Sequence, residues 1–252
     1  MVEYIASQDR CLLNIEANYY NQLDIEAFSQ MMKDPSYCYK FYWLEAVVHI
    51  ISEGKNETTF DEIIDEMIAN AWYSVREFHI HLSGIQADGL IRDGLERAIL
   101  QLTEFSDLPA NASKIEIKNA IREHQTDLKK AKEQLTNMVP YRALAGFFPR
   151  SNEVPDWGSV KRITAYIQKI NELVTPLPYV LGDSSKLKKE VHFHPDWVAM
   201  IQDNTVNILG WIQYEKVKWL QNNNPEVPGL IYKLAPMDEK MRKLSNVRKL
   251  WQ

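Results

Sequence analysis

The chain has 252 residues, 45% hydrophobic and 25% charged, with only 9 glycines and 11 prolines; this is globular composition and excludes a low-complexity or disordered chain. Its two cysteines, Cys11 and Cys38, exclude a disulfide framework and a thiolate metal knuckle and fit a reducing, cytoplasmic setting. The net charge of −5 is unevenly spread: residues 1–110 carry 7 basic and 19 acidic residues, residues 111–252 carry 22 and 15, so phosphates would be repelled by the first part and attracted by the second.

No basic region followed by an apolar run opens MVEYIASQDR, so no signal peptide is expected. No apolar stretch approaches the roughly 20 residues of a membrane span, and no membrane partner is expected. In chain order, LDIEAFSQMMK (23–33) spaces Ile25, Phe28, Met31 and Met32 as one helical face. Pro35 breaks it. SYCYKFYWLEAVVHII (36–51) gathers Tyr37, Tyr39, Phe41, Tyr42 and Trp43 and stays apolar on nearly every side, which predicts a central buried helix. Thr59 and Glu62 form a capping-box pattern ahead of a helix with Phe60, Ile63, Ile64, Met67, Ile68 and Ala71 on one face. That helix ends in NAWYSV, and its Trp72 and Tyr73 are expected beside the Tyr42 and Trp43 rings. FHIHL (78–82) alternates as a short extended segment would.

Leu90, Ile91, Leu95, Ala98, Ile99, Leu102 and Phe105 define another amphipathic helix. A second capping box, Ser113 with Glu116, opens a predicted helix over 113–138. Its apolar positions Ile117, Ile121, Leu128, Ala131, Leu135 and Met138 form a heptad seam, with His124 in it, suited to pairing with another helix or a second copy. The Pro-rich tract 139–157 is the expected boundary between a helical domain, 1–139, with a central aromatic core and a basic helical region, 140–252. Within the latter, Val160, Ile163, Ile167, Ile170 and Val174 mark a helix, and residues 175–195 are the place for a minor β-hairpin. Asn204 is read as the cap of a helix to about residue 221, and a basic helix closes the chain. The predicted class is therefore all-α, a multi-helix bundle with at most that hairpin.

Few constellations carry chemistry. His192 and His194 in HFHPDW share one face of an extended segment and are the candidate metal ligands. No third or fourth ligand follows at a recognised spacing, so no metal site is assigned. His79 and His81 repeat the pattern, and His49 sits inside the apolar helix. The carboxylates Asp61, Glu62, Asp65 and Glu66 are read as a solvated helix face. Phosphate loops, nucleophile elbows and catalytic Cys-His motifs are absent, and no catalytic residue is assigned. Two lysine and arginine clusters are the candidate nucleic-acid contacts: Lys186, Lys188 and Lys189, and the C-terminal Lys240, Arg242, Lys243, Arg248 and Lys249.

SYCYKFYWLEAVVHII, NAWYSV, VPYRALAGFF and WIQYEKVKWLQNNNPEVPGLIYKL, taken in that order, resemble the N-terminal region of a bacterial family of HNH endonuclease domain-containing proteins. The family pattern runs from a SYKFYW helix through an AWY helix end and a VPYR segment to a W..YL..RNP..P....KL stretch. Here Cys38 interrupts the first motif, and Asn223 stands where arginine is usual. The resemblance implies a helical DNA-binding, sensing or assembly portion, in a restriction or defence setting, that precedes a nuclease module. Such a module would be expected after Trp251; HFHPDW lies upstream of WIQYEKVKWL and is not identified with it. In that module a histidine and one divalent metal such as magnesium would hydrolyse phosphodiesters. The alternative is a non-catalytic helical interaction protein that forms homo-oligomers through the 113–138 helix.

Overall fold

A computed structural model describes residues 13–32, 38–84, 90–91, 93–137, 139–148, 158–173 and 176–236. Helix follows helix: α1 (Ile25–Gln30), α2 (Tyr39–Ser52), α3 (Phe60–Phe78), α4 (Gly94–Phe105), α5 (Lys114–Glu123), α6 (Gln125–Leu135), α7 (Val139–Ala143), α8 (Val160–Leu173), α9 (Pro195–Asp203) and α10 (Thr205–Asn223). Three short strands, β1 (Glu57–Thr59), β2 (Tyr179–Leu181) and β3 (Glu190–Phe193), form an antiparallel sheet in the order β1-β3-β2. The hairpin expected near 175–195 is the β2–β3 pair. The third strand had no signal of its own in the sequence, because ETT is too short to show a period.

Helix α2 is the centre of the molecule, touching α3, α7, α9 and α10. Its predicted apolar circumference is borne out: Cys38, Phe41, Tyr42, Trp43, Val48 and Ile51 are all buried. Gly54, at φ +87°, follows its C-terminus in the left-handed conformation that glycine adopts freely. The Trp43 ring meets Phe60 edge-on at 5.6 Å, and its indole nitrogen donates to Tyr179 Oη at 3.1 Å. Tyr179 in turn donates to the Pro140 carbonyl at 2.6 Å. Trp72 and Trp197 satisfy their indole N–H groups likewise, on the Pro109 and Pro176 carbonyls. Buried tryptophan thus keeps its one donor paired, as an interior position requires.

Several expectations change in register. Thr59 caps α3, but Glu62 reaches the Thr58 hydroxyl (2.6 Å) and Lys55 rather than closing a full box. The Ser113–Glu116 box is complete. The single helix over 113–138 is instead two helices, α5 and α6, broken at His124, where φ −105° and ψ 27° are not helical. Its seam packs inward: Ile117, Ile121, Leu128 and Leu135 are buried within this chain. The homo-oligomer contact assigned to it therefore loses its apolar surface. FHIHL is not a strand; α3 runs to Phe78 and His79 takes a left-handed φ of 51°. The tract 175–197 also conceals α9, capped by His194 with Pro195 in its first turn. Asn204 spends its amide on the Met200 carbonyl, ending α9 rather than capping α10.

One buried apolar cluster extends from Leu13 to Leu234. The boundary expected at 139–140 does not divide it: β1 pairs with β3 across that point, and α7 packs on α2. No helix among the described residues is long and apolar enough to cross a membrane. The basic helix expected at the C-terminus falls outside the described residues.

Candidate functional site

The carboxylates at the start of α3 are not a solvated face. Residues 61, 62, 65 and 66 repeat at i and i+4, which lines them along one side of a helix. Helices α5 and α6 lie over that side and bring lysines onto it. Glu66 is 1% exposed and accepts from Lys114 Nζ at 2.5 Å, from His49 Nδ1 at 3.0 Å, and also pairs with Lys118. One turn back, Lys132, itself 1% exposed, sits between Asp61 (2.5 Å) and Asp65. These are charge contacts more than directed hydrogen bonds, since Lys132 Nζ and the facing Oδ1 atoms find no aligned partner. A third pair links the halves elsewhere: Lys216 reaches both oxygens of Glu45 at 2.9 Å and lies 4.6 Å from the centre of the Tyr42 ring.

These contacts account for part of the charge asymmetry. Acidic residues 45, 61, 65 and 66 from the first half meet basic residues 114, 118, 132 and 216 from the second. These four lysines of the second half are thereby drawn inward and are not free for phosphates. The electrostatics of the two clusters differ. Burial alone would raise the Glu66 carboxyl, but hydrogen bonds from His49, Lys114 and Lys118 outweigh it and hold the group well below the usual range. For Asp65 the balance reverses: burial pushes its carboxyl up to about 6 although Lys132 opposes the rise.

The first lysine cluster is largely spoken for. Lys186 pairs with Glu133 at 2.8 Å, and Lys189 is buried, with its ammonium on the Gly182 carbonyl at 2.9 Å; burial lowers its pKa. Lys188 is exposed and, among the described residues, has no hydrogen-bond or ion-pair partner. Lys240, Arg242, Lys243, Arg248 and Lys249 lie outside the described residues. The candidate metal pair is likewise occupied: His192 on β3 lies 3.3 Å from Glu57, and His194 accepts from the Asp196 amide as a helix cap. No group of three or more potential metal ligands occurs among the described residues. His81 pairs with the nearly buried Glu96 at 2.8 Å, and Asn224 grips both the amide and the carbonyl of His81. That clasp ties residues 79–84 to the end of α10.

Sequence reasoning missed one feature altogether. A cleft of about 610 Å³ opens between α8, the end of α6 and the β2–β3 loop. Phe60 and Tyr141 form its inner wall, while Asn137, Lys161, Gln168 and the loop from Gly182 to Lys186 form its mouth. Its size falls in the range of small-ligand sites, about 300–1,000 Å³. Val160, expected on the core face of α8, is instead 41% exposed and borders this cleft.

Comparison with protein-family models, with curated proteins and with solved structures finds no match to this chain.

Proposed function

We propose that this chain is the helical recognition portion of an HNH-endonuclease-type protein, presenting duplex DNA to a hydrolytic module. The observation that carries the reading is where the resembling segments pack. YKFYW (39–43) opens α2, and the other three segments meet it: NAWYSV through the α2–α3 contact, VPYRA as α7, and WIQYEKVKWL through Lys216 on Glu45. Phe41 also lies 6.4 Å from the Trp219 ring, and Tyr141 6.2 Å from Phe60 beneath Trp43. Segments in a family order that close on one core are what a shared scaffold requires. Reactive chemistry would reside in the HNH module, where a histidine activates water and one divalent metal stabilises the leaving oxygen. Restriction or defence against foreign DNA in the cytoplasm is the setting the resemblance implies.

Duplex contact is assigned to the C-terminal basic set, because Lys114, Lys118, Lys132 and Lys216 are bound to carboxylates and that set gathers five basic residues within ten positions. Fluorescence anisotropy of a labelled duplex, titrated with salt, tests this. The full chain should bind at low salt with a log–log salt slope of about −0.9 per phosphate neutralised. Replacing Lys240, Arg242, Lys243, Arg248 and Lys249 with glutamine should flatten that slope. No binding at 20–50 mM salt (roughly the regime where such contacts are strongest) would remove the DNA role.

The internal pairing of acidic and basic halves favours a second reading, a non-catalytic helical interaction protein. It would show as an absence of duplex binding together with a defined protein complex in solution.

A further inference from the structure

We propose that the cleft between α8 and the β2–β3 loop binds a small organic phosphate that also carries hydroxyl groups, a sugar phosphate or a nucleotide. The inference stands apart from the HNH reading, since none of the polar groups it assigns to the ligand lies in the resembling segments.

The loop is held in shape from within. Lys189 Nζ donates to the Gly182 carbonyl at 2.9 Å, Ser184 Oγ donates to Glu190 at 2.7 Å, and Lys186 is tied to Glu133 on α6 at 2.8 Å. A Cβ on Gly182 would lie 2.6 Å from the Glu190 carboxylate, so a side chain there would push that carboxylate aside. A mouth fixed in advance loses little freedom when a ligand enters.

The charged groups facing the cleft are Lys161 from α8 and Asp183, Lys186 and Lys189 from the loop. Two of these lysines are committed to the contacts above. Both Lys161 and Asp183 remain exposed; Lys161 has no hydrogen-bond or ion-pair partner among the described residues, while Asp183 lies near enough to Lys189 to favour its charged form. Lys161 lies in the first turn of α8, a 14-residue helix whose dipole adds positive potential at the same place, with the Arg162 amide already donating to Ser159 Oγ. A cation beside a helix N-terminus within a cleft suits a doubly charged phosphate better than a single carboxylate. Asp183 repels that phosphate but accepts hydrogen bonds from hydroxyls, so the two ends of a sugar phosphate are told apart. Ser185 adds a hydroxyl, and the side-chain amides of Asn137 and Gln168 can read a further polar head.

Isothermal titration calorimetry on the full chain, with ribose 5-phosphate, AMP, ribose and inorganic phosphate, tests the assignment. At least one of the two organic phosphates should bind with Kd below about 1 mM, and ribose should give no heat. Tighter AMP binding identifies a nucleotide; equal affinity identifies a sugar phosphate. Lys161→Ala should weaken binding by about tenfold or more, as expected for loss of a charge-assisted contact. Asp183→Asn should weaken the organic phosphates relative to inorganic phosphate, which loses a repelling charge and should bind at least as well as before. Both positions are exposed, so the thermal midpoint of the unliganded variants should match the wild type, separating lost binding from lost folding. The proposal is overturned if neither organic phosphate binds, if inorganic phosphate binds as tightly as they do, or if Lys161→Ala binds undiminished.

Discussion

Replacing the interior lysine tests the acidic–basic seam most sharply. In Lys132→Met the side chain keeps most of its length and loses its charge, leaving Asp61 and Asp65 one turn apart beneath α6. Lys132 is 1% exposed, and its partners' side chains are 27% and 18% exposed, so water screens the orphaned carboxylates only in part. Breaking such a pair from one side costs about 3–5 kcal/mol. The cost must also depend on pH. Asp65 already titrates near 6 with the lysine in place, above its ordinary 3.8, so the folded state binds the extra proton between those values. Without Lys132 its carboxyl rises further, at about 1.4 kcal/mol for each unit. Stability of the variant should therefore lag the wild type most at pH 7.5 and recover part of the gap at pH 5. Urea unfolding followed by circular dichroism at both values measures this. The triple change Asp61→Asn, Asp65→Asn, Lys132→Met should return within about 1 kcal/mol of wild type, because no charge is then left alone. A single-variant loss below about 1 kcal/mol at pH 7.5, or one identical at both pH values, would refute the seam as described.

In the wild type, Asp65 and Asp93 are both pushed up to about 6, Asp65 by burial against Lys132 and Asp93 by burial against its helix-capping amides. A raised carboxyl favours the protonated folded state, so its contribution to stability falls as pH rises from about 4 to 6; thermal midpoints of Asp65→Asn and Asp93→Asn should vary less across that window. Trp43→Ala should cost about 3–5 kcal/mol in urea unfolding, since it empties the centre of the core and strips the Tyr179 hydroxyl of its donor. Asn224→Ala removes two hydrogen bonds to the His81 backbone and should cost about 1–3 kcal/mol, with faster amide exchange confined to residues 79–84.

Apolar period was a reliable guide wherever it was long. The circumferential pattern of α2 and the one-sided pattern of α3 could be read directly and are buried as expected; in α4 Leu95, Ala98, Ile99 and Leu102 are buried, whereas Phe105 is exposed at its end and Leu90 is exposed ahead of its start. Interruptions of that period were harder. His124 sits in a perfect seam yet breaks the helix, because the break lets α6 turn Lys132 onto α3 while Leu128 and Leu135 stay in the core. No local signal marks that exchange. The acidic face of α3 looked solvated because a single helix shows its own charges and not those that will cover it. The clue was present in the matching i, i+4 spacing of Asp61 and Asp65, of Glu62 and Glu66, and of Lys114 and Lys118. Lys186, Lys188 and Lys189 read as one basic patch, but a tight loop sends their side chains to separate partners: Glu133 for the first, solvent for the second and the Gly182 carbonyl for the third. The cleft was illegible for another reason, since it is assembled from four parts of the chain with no motif in common.

Hydrogen exchange, read by mass spectrometry over peptides covering α2, tests the scaffold claim most directly. The account predicts that amides in residues 41–51 exchange only through global unfolding, with protection matching the stability found in urea. Rapid exchange of these amides under native conditions would contradict it, because rings that open to solvent on their own cannot be the interior around which the remaining segments are built.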